Sequence, residues 1–110
     1  MKRYDLGAAA RSAVSASPDR PAVAILHDEA EGRLVVFRLA PGQRVAGHMS
    51  PSNVFLTVVS GTGFVHGADG EQPVRQGDMI AFGPREPHGM RADQDELVLA
   101  ALLTPRPGSR

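Results

Sequence analysis

Two of the four histidines, His48 and His88, stand at fixed distances after glycines. Gly42 precedes His48 by six residues, and Gly77 precedes His88 by eleven. An imidazole can coordinate a metal, transfer a proton near neutral pH or exchange hydrogen bonds with a small polar molecule. Cysteine is absent, so any metal would depend on histidine, carboxylate or hydroxyl groups. These two histidines are therefore the first candidates for a site.

The segments 41–48 and 77–88 resemble the two sequence motifs of the cupins, and the resemblance covers roughly residues 33–104. Gly42, His48 and Gly61 keep the spacing of the first motif, and Gly77 and His88 keep that of the second. The resemblance implies a small single-domain, RmlC-like cupin. Its fold would be all-β, a double-stranded β-helix or jelly-roll barrel with the motif side chains facing inward.

Two positions depart from the cupin pattern. The family usually has a second histidine where this chain has Ser50, and a glutamate where it has Val54. A hydroxyl is a poor ligand beside imidazole and valine has no donor atom, so the resemblance leaves His48 and His88 as the only metal ligands. The expected cofactor is at most a weakly bound divalent metal. Glu86 and His66 are the residues that could complete such a site.

The same pattern fits a pocket without metal. A small polar molecule would bind in the barrel lumen beside His48, Ser50, Val54, His88 and Met90, where Met90 narrows the lumen because residues two apart share a strand face. The alternative function is a metal-dependent cupin enzyme, an oxygenase, isomerase or lyase that uses His48 and His88 as ligands. No catalytic residue can be named. A purely structural dimer is a third possibility.

Length and charge limit the partners. The 110 residues suffice for one domain. Twelve basic and twelve acidic side chains balance, so the chain offers no excess positive charge for nucleic acid. The apolar runs are too short to span a membrane, and no apolar segment follows Lys2 and Arg3 as a leader would require. We therefore expect a cytoplasmic protein whose partner is a small-molecule ligand.

The chain divides into an N-terminal arm or short helix over 1–20, a barrel over 21–104 and a C-terminal tail over 105–110. Short β-like runs separated by turn residues predict the barrel strands. Val54 to Val59 reads as one strand that is apolar on both faces, with Ser60 to Gly63 as the turn after it. Because the face of Phe55, Thr57 and Val59 needs cover, a helix, an arm or a second subunit is expected, and we predict a homodimer.

Overall fold

The computed structural model describes residues 1–108, in which one short helix is followed by nine strands. The helix is α1 (Leu6–Ser12). The strands are β1 (Val14–Ser15), β2 (Ala22–Glu29), β3 (Gly32–Leu39), β4 (Arg44–His48), β5 (Asn53–Gly67), β6 (Gly70–Arg75), β7 (Met79–Phe82), β8 (His88–Arg91) and β9 (Leu97–Thr104). The predicted all-β fold is therefore confirmed.

The strands form one curled antiparallel sheet in the order β1-β2-β3-β9-β5-β8-β4. β6 and β7 both pair with β5, β6 along residues 62–67 and β7 along residues 54–57. The sheet closes on itself as a half-barrel because β5 takes part in both halves of it. Its two ends, β1 with β2 on one side and β4 on the other, are not paired with each other within residues 1–108.

The predicted turn at Ser60 to Gly63 is wrong, because β5 runs through these residues without ending. The register against β9 shifts between Val58 and Ser60, and Gly61 has a φ of +82°. A Cβ at Gly61 would lie 1.8 Å from the carbonyl oxygen of Glu96. Glycine therefore serves a bulge that bends the strand from one half of the sheet into the other.

The interior is filled by alternate side chains of these strands. Its most buried members include Leu39, Leu56, Met90, Leu97 and Leu99. Burying each such side chain stabilises the fold by about 1.5–3 kcal/mol. The apolar alternation that predicted the strands thus also forms the core.

Helix α1 covers part of the outer face of the sheet. Asp5 caps it, since its carboxylate accepts a hydrogen bond of 3.0 Å from the Ala8 N–H. Ala10 of the helix packs with Val36, Val98 and Ala100 in a second apolar cluster. The neighbouring part of this face stays open: Met79 is 64 % and Leu102 40 % exposed. Homodimerisation through it remains a prediction.

The observed helix and strands fall within the predicted arm and barrel as follows. Both α1 and β1 lie in the predicted arm of residues 1–20, and β9 ends at Thr104. Residues 109 and 110 of the predicted tail lie outside the described residues. In the part that the structure describes, no helix is long and apolar enough to cross a membrane.

Candidate functional site

His88 lies at the first position of β8, where the loop from β7 enters the sheet. Its side chain is buried, with a 3 % exposed fraction for the residue. The ring stacks on Phe82 with 5.0 Å between centroids. Its Nδ1 lies 3.0 Å from the Glu86 carbonyl oxygen, and because a carbonyl can only accept, the ring donates there. In the neutral ring, Nε2 is left as a hydrogen-bond acceptor.

His48 lies at the last position of β4, directly opposite His88 in the β4–β8 register. The two ring centroids are 4.3 Å apart in an edge-to-face arrangement. His48 Nδ1 lies 3.1 Å from the Ala46 carbonyl oxygen, which repeats the arrangement at His88. We call His48 and His88 the histidine pair. Unlike the buried His88, His48 is exposed, so the pair lies at the barrel mouth.

Burial holds the pKa of His88 below its ordinary value of 6.5, because a charged ring is poorly solvated there. The hydrogen bond to Glu86 acts in the opposite direction, and like-charge repulsion from His48 adds to the lowering. His88 is therefore neutral near pH 7. The mouth thus presents an uncharged imidazole whose tautomer is set by the backbone.

Ser50 lies outside the strand that carries His48, and Val54 lies on β5 opposite Phe82, the residue on which His88 stacks. β4 ends at His48, so position 50 lies in a loop and the shared strand face no longer applies. The Ser50 hydroxyl accepts a 3.1 Å hydrogen bond from the Ser52 N–H. Val54 is only 1 % exposed and packs in the apolar interior. Met90 also packs there, on the lumen face opposite Val45.

Neither residue considered for completing a metal site does so in this structure. The Glu86 side chain is exposed, and its Oε1 accepts a 3.0 Å hydrogen bond from the Gly83 N–H. His66 neighbours the buried Val65 on β5 and therefore faces outward. Its Nε2 lies 2.3 Å from the point that a Cβ on Gly89 would occupy. His66 thus covers a glycine on the outer face of the sheet.

The donor set does not fit a tightly held divalent metal. Among residues 1–108, no group of three or more histidine, cysteine, aspartate or glutamate side chains could hold an ion. Two imidazoles remain, and the nearest family position, Ser50, has its hydroxyl engaged by the backbone. Catalytic zinc sites typically have three protein ligands. The histidine pair is therefore better suited to hydrogen bonding than to strong coordination.

Sequence reasoning missed the residue that holds the mouth loop. Arg85 has a φ of +63°, the only positive φ at a non-glycine position in the described chain. Its N–H donates a 2.6 Å hydrogen bond to the Ser50 carbonyl oxygen. This bond joins the loop before His88 to the loop after His48. No residue type signals it, because it uses only backbone atoms.

A narrow slot of about 180 Å³ opens beside the histidine pair, between β6 and β7. Its floor is apolar, with Val65, Val74 and Phe82, and its rim carries Gln72 and Glu86. Phe82 contributes to both features, since it lines the slot and stacks on His88. Phe82 is 6 % exposed and belongs to the apolar core. It is also the wall between the slot and the buried imidazole.

A half-barrel of this topology with its histidines at the mouth defines a double-stranded β-helix protein. The family model described as "Cupin domain" matches residues 35–104, and the chain belongs to this family. The resemblance found in the two motifs is thereby confirmed. No curated protein matches the chain.

Solved structures agree on the fold. An uncharacterized conserved protein with a double-stranded β-helix domain from Klebsiella pneumoniae is 20 % identical with a TM-score of 0.83, covering 100 % of this chain and 94 % of its own. An RmlC-like cupin from Desulfovibrio desulfuricans is 24 % identical with a TM-score of 0.81, covering 96 % and 98 %. A predicted oxalate decarboxylase from Thermotoga maritima is 20 % identical with a TM-score of 0.73, covering 77 % and 80 %. At these identities the likeness shows the fold alone.

Proposed function

We propose that this cupin binds a small polar molecule at the barrel mouth through His48 and His88, without depending on a metal. The observation that supports this most is the matched tautomer of the two rings. Each Nδ1 is tied to the backbone carbonyl two residues earlier, at 3.1 Å in His48 and 3.0 Å in His88. In their neutral forms both rings therefore offer Nε2 as an acceptor toward the same ligand.

Two neighbouring acceptors favour a ligand with two neighbouring donors. The rings are 4.3 Å apart between centroids, so adjacent hydroxyl groups on one small molecule can reach both of them. Neither histidine lines the slot of about 180 Å³, and Phe82 separates it from the buried ring, so the ligand would bind at the open mouth beside the pair. A small molecule carrying a vicinal diol meets these requirements.

Nuclear magnetic resonance of the histidine rings tests this proposal. Glycerol and 1-propanol serve as probes that differ in their adjacent hydroxyls, and the ¹⁵N shifts of Nε2 report hydrogen bonding. We expect glycerol, but not 1-propanol, to move the signals of His48 and His88. His27→Gln is the matched control, because His27 lies on the outer hairpin and contacts Tyr4 and Glu31.

The expected result is that His88→Gln abolishes the glycerol response while His27→Gln keeps it. If both probes move the signals equally, or if the two variants behave alike, the diol proposal is wrong.

A metal-dependent enzyme is the second candidate, favoured by one observation. Metal-binding histidines commonly donate their other ring N–H to a carbonyl or carboxylate, as both members of the pair do. Titration calorimetry with zinc, nickel and manganese separates the two candidates. Weak binding is expected from the two-imidazole donor set, whereas tight one-to-one binding would favour the enzyme.

A further inference from the structure

The half-barrel leaves an open seam between its two ends. Among residues 1–108, β1 pairs with β2 at Val14–Val23 and Ser15–Ala22, and β4 pairs with β8 alone. A cavity of about 500 Å³ lies between these edges, which we call the seam cavity. Its apolar wall includes Val23, Phe37 and Val45, and the last two also pack against the barrel core. The seam cavity is thus an apolar pocket separate from the histidine pair, which does not line it.

The charges that line the seam cavity are all positive. Arg20 and Arg44 belong to its lining, and no carboxylate does. Within residues 1–108, neither arginine forms an ion pair. An apolar pocket with two uncompensated guanidinium groups is complementary to an anion that carries an apolar body.

The neighbouring charges do not neutralise these arginines. Asp19 precedes Arg20 and is exposed, yet the two do not form an ion pair. Arg44 lies opposite Arg91 in the β4–β8 register, and Arg91 engages Glu71 at 2.9 Å. Arg91 also lies 3.8 Å from Asp93, so Glu71 and Asp93 compensate the charge of Arg91, and within residues 1–108 neither carboxylate forms an ion pair with Arg44.

One side chain joins the two backbone segments that carry these arginines. Gln43, the residue before Arg44, donates from Nε2 to the carbonyl oxygens of Pro18 at 3.1 Å and Arg20 at 3.2 Å. Its Oε1 accepts a 2.9 Å hydrogen bond from the Ala40 N–H. Gln43 therefore ties the turn that carries Arg20 to the turn that leads into β4. The two sides of the seam are held in place before any ligand arrives.

We propose that the seam cavity binds an amphipathic monocarboxylate, with the carboxylate between Arg20 and Arg44 and the apolar body against Val23, Phe37 and Val45. A guanidinium group presents donors in a fork that matches a carboxylate. The cavity volume of about 500 Å³ is within the range of small-molecule sites. This site is independent of the diol proposed at the histidine pair, so either can fail alone.

Three probes share an eight-carbon alkyl chain and differ in the charge of the head group: octanoate, 1-octanol and octylammonium. Comparing them separates the contribution of the negative charge from that of the apolar body. Their binding to the full chain is followed through backbone amide shifts. We expect octanoate to bind most tightly, with the largest shifts at residues 20–23 and 44–46. Equal affinity for the three probes would overturn the proposal, as would a shift map centred on Phe82 and His88.

Arginine variants then test the charge. Because exposed ion pairs are weak, Arg20→Gln and Arg44→Gln should each weaken octanoate about two- to fivefold, with 1-octanol unchanged. Arg75→Gln is the matched control, since Arg75 is exposed but lines a different cavity. An equal loss in the control would contradict the proposal.

The remaining occupant is a second copy of the chain. A soluble paramagnetic agent broadens the signals of solvent-exposed amides. If the amides of residues 20–23 and 44–46 are protected from it at high protein concentration and become accessible on dilution, a dimer covers the seam and the proposal is overturned.

Discussion

The barrel interior has two regions that the same strands build and that differ in what surrounds them. In the packed region, side chains such as Leu56, Leu97 and Leu99 from β5 and β9 are buried in one apolar cluster. At the mouth, β4 ends at His48 and β8 begins at His88. The segments after His48 and before His88 are loops. Period-2 alternation positions the first region. Backbone hydrogen bonds within loops position the second, so its residues are freer to change with function.

Val54 lies where the packed region meets the mouth. The family usually has a metal-binding carboxylate at its position, but here the side chain belongs to the packed region and is 1 % exposed. With valine at this position, the packed region extends to Phe82, on which His88 stacks. The histidine pair is what remains on the polar side.

The largest effect on stability and zinc affinity is expected from placing metal-binding side chains at positions 50 and 54. In Ser50→His/Val54→Glu, the apo protein buries a carboxylate, which should lower the free energy of unfolding by about 3 kcal/mol or more. Zinc should bind the double variant roughly a hundredfold more tightly than the wild type, because a carboxylate and an imidazole join the donor set. Denaturation with and without zinc and titration calorimetry measure both effects.

Ser50→His/Val54→Gln is the matched control, since it keeps the size of the side chain without its charge. At a zinc concentration a hundredfold above the Kd of the glutamate variant, binding should raise that variant's free energy of unfolding by about 2.7 kcal/mol. Both variants are compared at this same concentration. If the glutamine variant recovers as much, position 54 does not reach the histidine pair.

Within the packed region itself, truncation should cost somewhat less. Leu99→Ala removes a side chain that has no exposed surface and should lower the free energy of unfolding by about 3 kcal/mol. Leu102→Ala on the same strand, at a residue 40 % exposed, should cost about 1 kcal/mol or less. Urea denaturation compares them. Equal losses would mean that the outer face is covered in solution, as the predicted homodimer requires.

The packed region could largely be predicted from the sequence. Short apolar runs at Arg33 to Leu39, Met79 to Phe82 and Leu97 to Leu103 predicted β3, β7 and β9 to within a residue or two. The error at Ser60 to Gly63 has a physical cause. Glycines signal turns, yet a positive φ at Gly61 serves equally well in a bulge within a continuing strand.

The mouth could be predicted only in part. Motif spacing placed His48 and His88 together, and their rings do contact each other. It could not show that β4 ends at His48, that Arg85 holds Ser50 through backbone atoms, or that His66 faces outward. These features depend on where strands end and on pairings between distant segments. A spacing rule contains neither.

The smallest expected effect concerns a single proton at the mouth. Because the pKa of His88 is lowered in the folded state, the unfolded chain takes up this proton first as the pH falls. Proton uptake favours the state that binds more protons, so the free energy of unfolding should decrease from about pH 6.5 downward, until the pH reaches the folded pKa of His88. Above pH 6.5 both states are neutral at this residue and its contribution is constant.

Other shifted groups act outside this range. The pKa values of Asp28 beside Arg33, Glu31 beside His27 and Glu71 beside Arg91 are also lowered, from carboxyl values near 4, so their stabilisation is lost only at more acidic pH. Urea denaturation between pH 7.5 and about 5.5 therefore avoids the titration of these carboxyl groups, and comparison with a His88 variant isolates the buried ring. His88→Gln keeps a polar side chain but cannot take up the proton, so its stability should depend less on pH than that of the wild type. Parallel profiles for the two proteins would show that the folded and unfolded chains bind this proton equally, and that the mouth is more open to water than the stacking on Phe82 indicates.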